Sequence, residues 1–157
     1  MTTYEGQFTA ASDARFAIVA SRFNHFIVDR LVEGARDAFA RHGVGNANLD
    51  LVWVPGAWEL PWAVGRLAKK RSHAAIVVVG AVIRGSTPHF DYVAGQAAAG
   101  TARQMLEHDV PVVFGLLTTD TIEQAIERAG TKAGNKGFEA ALGALELADL
   151  GRSLEEI

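Results

Sequence analysis

Two hydrophobic periods divide the chain. The short runs Phe16–Ser21, Leu49–Val54, Ala75–Gly80 and Val110–Gly115 are rich in Val, Ile and Phe and mostly do not alternate. Gly, Pro or polar residues bound them. Such runs suit strands covered on both faces, as in a parallel sheet. Between and after them, apolar residues recur at helical spacing. Val28, Leu31, Val32, Ala35 and Phe39 make one stripe, with Asp29, Arg30, Glu33 and Asp37 elsewhere on the helix. Leu60, Ala63, Val64 and Leu67 repeat the pattern before Arg71. Val93, Ala94, Ala97, Met105 and Leu106 belong to a third helix. Ile122, Ala125, Ile126 and Ala129 make a short fourth, and Phe138, Ala141, Leu142, Leu145 and Ala148 a last one.

The punctuation agrees with this reading. Asn24 stands where an N-cap should precede the first stripe, and Gly43 follows it as a helix stop. Asp120 and Glu123 have capping-box spacing. Tyr4–Phe8 reads as one further short strand, and Gly130–Gly137 as a tight helix–helix loop. Strand and helix thus alternate, with an extra helix at the end, and parallel strands require such crossovers. The prediction is an α/β fold: a three-layer α/β/α sandwich on a small parallel sheet, one domain over residues 1–157.

Composition narrows the chemistry. The chain has 157 residues, 49% hydrophobic and 21% charged, which suits one folded domain and excludes disorder. It has no cysteine, so disulfide scaffolds, zinc–thiolate sites, iron–sulfur clusters and cysteine nucleophiles are excluded. A net charge of −3 leaves no global basic footprint for nucleic acid. Met1–Gln7 carries Glu5 and lacks the apolar stretch of a signal peptide. The apolar runs Ala74–Val79 and Val110–Val113 fall far short of the ~20 residues that span a bilayer. A cytoplasmic protein with no membrane partner is the expectation. Mean hydropathy is +0.12, rather apolar for a small monomer.

In open α/β sheets, ligands bind outside the carboxyl ends of the strands. This selects Ser21–Asn24, Pro55–Glu59, Ala81–His89 and Leu116–Asp120. Phe23 can stack on a planar ligand, or serve as an ordinary core aromatic. Glu59, after Pro55-Gly56 and Trp58, can accept hydrogen bonds from hydroxyls, or complement a helix dipole from its first turn. Trp62 reads as core, and Trp53 as packing on the sheet. Arg84-Gly85-Ser86-Thr87 leads towards a helix starting near His89, where backbone N–H groups and hydroxyls form an anion site. His89 is the best general acid/base in the chain, with a capping or solvent histidine as the alternative. His25 lacks such a setting, and His42, His73 and His108 read as surface residues near helix ends. Arg128 can serve a phosphate as a bidentate partner, or pair with Gln124 or Asp120; Lys136 can serve as a point charge. His89 and Asp91 have no further ligand to complete a metal site, so neither metal nor cofactor is expected. Gly130–Gly137 follows a helix rather than a strand, which removes a P-loop reading. The residues therefore suggest a phosphorylated, hydroxylated ligand, an aromatic ring to stack on and one histidine for proton transfer.

The same segments, in this order, resemble the lumazine synthase family. The matching stretches are Ala20–Asn24, Val54–Pro61, Val82–Val93, Phe114-Gly115 and Glu123–Gly130 running into Thr131–Gly137, nearly the whole chain at compatible spacing. The resemblance implies a flavodoxin-like fold and a transferase of riboflavin biosynthesis. Its substrates would be 5-amino-6-(D-ribitylamino)uracil and 3,4-dihydroxy-2-butanone 4-phosphate, and its products 6,7-dimethyl-8-ribityllumazine, phosphate and water. By the same resemblance, Phe23 would stack on the pyrimidine. Ala57, Trp58 and Glu59 would hold the ribityl chain and ring. Backbone groups of Ala81, Val82 and Ile83 would read the ring edge. Gly85, Ser86, Thr87 and Arg128 would hold the phosphate, His89 would transfer protons and Lys136 would lie near the site. Phe114 would close the pocket from a neighbouring subunit. Trp58 stands where many family members carry Phe, and Ala81 where some carry a hydroxyl residue. The resemblance further implies a homo-oligomer: a pentamer, and twelve pentamers in an icosahedral shell, with riboflavin synthase a candidate partner. Gly95, Ala98, Ala99 and Ala102 form a small-residue stripe expected to face other subunits, which also fits the apolar composition. A non-catalytic flavin-binding module and a bare structural shell are weaker alternatives, because neither needs both His89 and Arg128.

Overall fold

The computed structural model describes all 157 residues, Met1–Ile157. The main sheet contains β1 (Phe16–Ser21), β2 (Leu49–Val54), β3 (Ala75–Ile83) and β4 (Val112–Thr119). The strands are parallel in the order β2-β1-β3-β4. Helices α1 (His25–Arg41) and α5 (Lys136–Glu155) cover one face, where Phe16, Ile18, Val77 and Val79 meet Leu31, Ala35, Ala141 and Leu145. Helices α2 (Leu60–Ala68) and α3 (His89–His108) cover the other, where Ala17, Val19, Ile76 and Val78 meet Leu60, Val64 and Ala97. Both faces of β1 and β3 are therefore sealed, which is why those runs are apolar without alternation. Short α4 (Ile122–Glu127) follows β4, and the hairpin β5 (Ala129–Thr131) and β6 (Gly134–Asn135) leads into α5.

Several local expectations are corrected. β3 and β4 extend past Gly80 and Gly115, pairing from Ile76↔Val112 to Ile83↔Thr119. These glycines do not end the strands; they admit close neighbours. A Cβ on Gly80 would lie 2.4 Å from Ser21 Oγ, and one on Gly115 would lie 2.9 Å from the Val78 carbonyl oxygen. Tyr4–Phe8 forms no strand, since it lies along α5 with Gln7 N–H donating to Asp149 Oδ2 at 3.0 Å. The Gly130–Gly137 segment is the β5–β6 hairpin rather than a plain loop, with Gly130 and Gly134 at positive φ. Thr121, not Asp120, caps α4, its hydroxyl accepting from Gln124 N–H at 3.1 Å. Gly43 ends α1 at φ 85°, as expected of a helix stop.

At the amino end of the sheet, His73 is buried rather than on the surface. It lies 2.8 Å from Asp50 Oδ2, and Arg15 donates to both oxygens of Asp50 at 3.0 and 2.9 Å. These hydrogen bonds, that from His73 foremost, hold the Asp50 carboxyl below its ordinary value. Trp62 is 69% exposed, not core, and Leu106 on α3 is equally open. Both lie on helix faces that the protomer itself leaves uncovered.

Candidate active site

The carboxyl ends of β1, β2 and β3 open into a cleft of about 340 Å³. Each strand delivers its part through backbone geometry. Beyond β1, Arg22 and Phe23 N–H groups donate to the Val54 and Pro55 carbonyls at 2.8 and 3.0 Å, continuing the ladder with β2. The chain then turns at Asn24, at φ 62° and ψ 38°, the left-handed region that Asn tolerates better than most residues. Phe23 thereby projects outwards and is 72% exposed, which removes the core reading. Asn24 precedes α1 as expected but makes no side-chain cap. Its Nδ2 instead donates to the Ala81 carbonyl at 2.9 Å, tying the β1 loop to β3.

After β2, one 3-10 turn spans Ala57–Glu59. Gly56 N–H donates to Glu59 Oε2 at 2.9 Å, so the carboxylate closes its own turn, the helix-start role. Ala57 and Trp58 line the cleft; Glu59 does not. Ala81, Val82 and Ile83 supply the wall from β3, and Gly85, Thr87 and His89 the rim. Ser86 lies on the same loop, exposed and outside the lining. His89 is the first residue of α3 and is exposed, with Phe90 and Val93 beside it on the cleft side.

Phe114, Arg128 and Lys136 lie elsewhere. They line a second hollow of about 380 Å³ along β4 and the start of α5, sharing no lining residue with the first. β4 ends the sheet, so no strand of this chain pairs with its outer edge. Arg128 caps the end of α4 and donates to the Gln124 carbonyl at 3.0 Å, with Glu127 Oε2 at 3.6 Å. Lys136 pairs with Glu139. Its place is set by Asn135, whose Oδ1 accepts from Gly137 and Phe138 N–H at 2.9 and 3.1 Å while its Nδ2 donates to the Arg30 carbonyl at 2.8 Å. Gly137 is needed there, because a Cβ would fall 1.9 Å from the Leu31 carbonyl oxygen.

The chain thus gathers Phe23, Ala57, Trp58, Ala81, Val82, Ile83, Gly85, Thr87 and His89, and keeps Phe114, Arg128 and Lys136 apart. The cleft can stack a flat ring on an aromatic, present backbone N–H and C=O groups to its edge, and offer one imidazole at the rim. The second hollow offers an aromatic and two cations. Sequence reasoning gave Asn24 only a capping role, because the left-handed turn that sends its amide to β3 leaves no local signature in a non-glycine residue.

A family model described as 6,7-dimethyl-8-ribityllumazine synthase matches residues 13–152. The chain is 60% identical over 154 residues to the protein of that name from Nautilia profundicola, covering 98% of this chain and 100% of that protein. The corresponding protein of Nitratiruptor sp. is 58% identical with the same coverage. That of Aquifex aeolicus is 56% identical over 98% of this chain and 99% of its own length.

Proposed function

The chain belongs to the 6,7-dimethyl-8-ribityllumazine synthase family, and from that premise we propose how its residues carry the family's condensation. It joins 5-amino-6-(D-ribitylamino)uracil to 3,4-dihydroxy-2-butanone 4-phosphate, as a transferase of riboflavin biosynthesis. The observation that carries the assignment of roles is the cleft that gathers Phe23, the Ala81–Ile83 backbone and His89 at the carboxyl ends of three strands.

The pyrimidine stacks on Phe23, and backbone groups of Ala81–Ile83 meet its polar edge. Ala57, Trp58 and Glu59 flank the ribityl chain; Glu59 reaches a hydroxyl by exchanging its bond to Gly56 N–H. Gly85, Ser86 and Thr87 receive the phosphate. The uracil's amine attacks the ketone, water leaves and an imine forms. Phosphate departs by elimination, and the ring closes with loss of a second water. His89, at the rim, moves protons between the amine, the carbon next to the imine and the leaving oxygens. Holding both substrates in register supplies the larger share of the rate.

Phe114, Arg128 and Lys136 complete the site from a neighbouring copy. The separation of the two hollows supports this, as do the open edge of β4 and the exposed rings of Phe26, Trp62 and Tyr92. α3 points the same way. Its twenty residues bury only Ala97 and Thr101, and Gly95, Ala98, Ala99 and Ala102 face away from the core. A head-to-tail contact of unlike surfaces closes into a ring; we take the ring to be the pentamer, and twelve such rings to build the shell. The expectation of riboflavin synthase as a partner rests on the family resemblance alone.

The test mixes both substrates with the assembled protein and follows lumazine fluorescence and phosphate release together. Equal amounts of both products are expected, and a folded assembly that releases neither overturns the reading. His89→Ala and Arg128→Ala proteins, both slow when the butanone phosphate is held well below its KM, are then unfolded, mixed and reassembled. Random mixing across a head-to-tail ring restores about a quarter of the sites. A mixture no more active than its components would mean that each site is built within one chain.

A further inference from the structure

The loop that carries Gly85, Ser86 and Thr87 is short, exposed and rich in small residues, yet it must present groups in a fixed geometry. Its backbone is held at its first residue, where Arg84 N–H donates to the Thr119 carbonyl at 2.8 Å. The Arg84 side chain then reaches across the loop. Its Nε donates to Asp120 Oδ1 at 2.9 Å and its Nη1 to Asp91 Oδ1 at 3.2 Å. The guanidinium carbon lies 4.2 Å from the centre of the Phe90 ring, which lines the cleft. One planar cation therefore joins the end of β3, the first turn of α3 and the residue before the α4 cap. The exposed Gly85–Pro88 segment is thus tied at both ends, by the Arg84 backbone at one and by its side chain at Asp91 at the other.

We propose that Arg84 is a positioning residue, a clamp that sets the Gly85–Thr87 loop and the start of the His89 helix for the phosphate-bearing substrate. It acts through Asp91, Asp120 and Phe90 and not by touching that substrate. A planar fork can serve two carboxylates and a ring face at once, whereas an ammonium is a single point charge. Both carboxylates favour the charged guanidinium, which raises its already high pKa further.

The assignment of substrate to this loop rests on the function proposed above, so the test has two readouts. The first is hydrogen exchange at the amides of residues 84 and 91, which flank the loop and donate to the Thr119 and Pro88 carbonyls at 2.8 and 3.1 Å; it needs no substrate. Arg84→Met is expected to speed it about tenfold or more, while the amides of β3 and of the last turns of α3 keep their rates. Unchanged exchange overturns the clamp whether or not the chain is the enzyme. The second is steady-state kinetics. Arg84→Met and Arg84→Lys are both expected to raise KM for the butanone phosphate, and Ki for inorganic phosphate, about tenfold. KM for the uracil stays within about twofold. Lysine restoring the wild-type KM would show that charge alone matters and would overturn the clamp. An equal rise in both KM values would overturn it too. If Arg84→Met does not fold, Asp120→Ala and Asp91→Ala each remove one arm, and the double variant should match or exceed the larger effect. An inactive wild-type protein with faster exchange in Arg84→Met would sink the proposed function and leave the clamp standing.

Discussion

The two ends of the four-stranded sheet are built from the same strands and finished differently. At the amino end, Asp50 receives Arg15 and His73, and Phe16 lies with its ring centre 4.9 Å from that of Phe39, both fully buried. The hollow nearby is lined in part by two ion pairs, Arg71 with Asp109 and Arg152 with Asp149. At the carboxyl end, Phe23 and Trp58 stand out in solvent, and the His89 imidazole is exposed at the rim of the cleft. Saturated interactions stabilise; unsatisfied aromatics and an exposed imidazole are what a ligand or a second subunit can use. The contrast assigns the fold to the amino end and, on the function proposed above, turnover to the carboxyl end. Substitutions should therefore separate stability from turnover according to the end they touch.

The largest effect should come from Phe16→Ala. It removes a buried ring and should lower unfolding stability by roughly 3–5 kcal/mol. Denaturant titration measures this, and the protein that remains folded should keep its KM values. A Phe16→Ala protein with normal stability would break the contrast from the amino side. Next, His89→Ala should reduce kcat by about 10²–10⁴-fold, while its denaturation midpoint corresponds to a change within about 0.5 kcal/mol. A large loss of stability there would show that the carboxyl end is structural after all. Arg128→Ala should weaken binding of the phosphate substrate by about 1.5–3 kcal/mol, the worth of a charged hydrogen bond. That is read as a rise in KM, again without loss of protomer stability.

The smallest effect should come from Asp50→Asn, about 1 kcal/mol of stability at neutral pH, since the carboxylate is partly exposed to solvent. Its folded pKa lies below the ordinary 3.8. The stabilisation is thus full above the ordinary value and disappears as pH falls through the lowered one. The gap between wild type and variant should close in acid, and turnover at neutral pH should not change. A gap that persists at low pH would show that shape, not charge, is what Asp50 contributes.

The fold was largely legible because burial on both faces leaves an unmistakable pattern. β1 and β2 lie where the apolar runs place them, and the α1 stripe from Val28 to Phe39 is buried as its spacing demands. Legibility failed where a side chain bonded to a distant partner. His73 looks like a helix-end surface residue until Asp50 arrives from β2, and Asn24 looks like a cap until Ala81 arrives from β3. It failed also where the fold leaves a large apolar residue uncovered. Trp62 reads as core by its hydrophobicity and is exposed because α2 turns it away from the sheet.

The layers follow from the order of residues alone, because hydrophobic period is a local property and reports directly which faces are covered. The same order brings forward the polar segments after the strands, since loops at the carboxyl ends of parallel strands face one crevice wherever they lie in the chain. How those segments divide is set by packing. Strand order and long-range pairing put β4 at the sheet's edge, so Phe114, Arg128 and Lys136 fall into a hollow separate from Phe23 and His89. Packing alone decides, too, that Arg84 reaches Asp120. No local pattern encodes either, because both depend on distances between elements far apart in the chain that only packing sets.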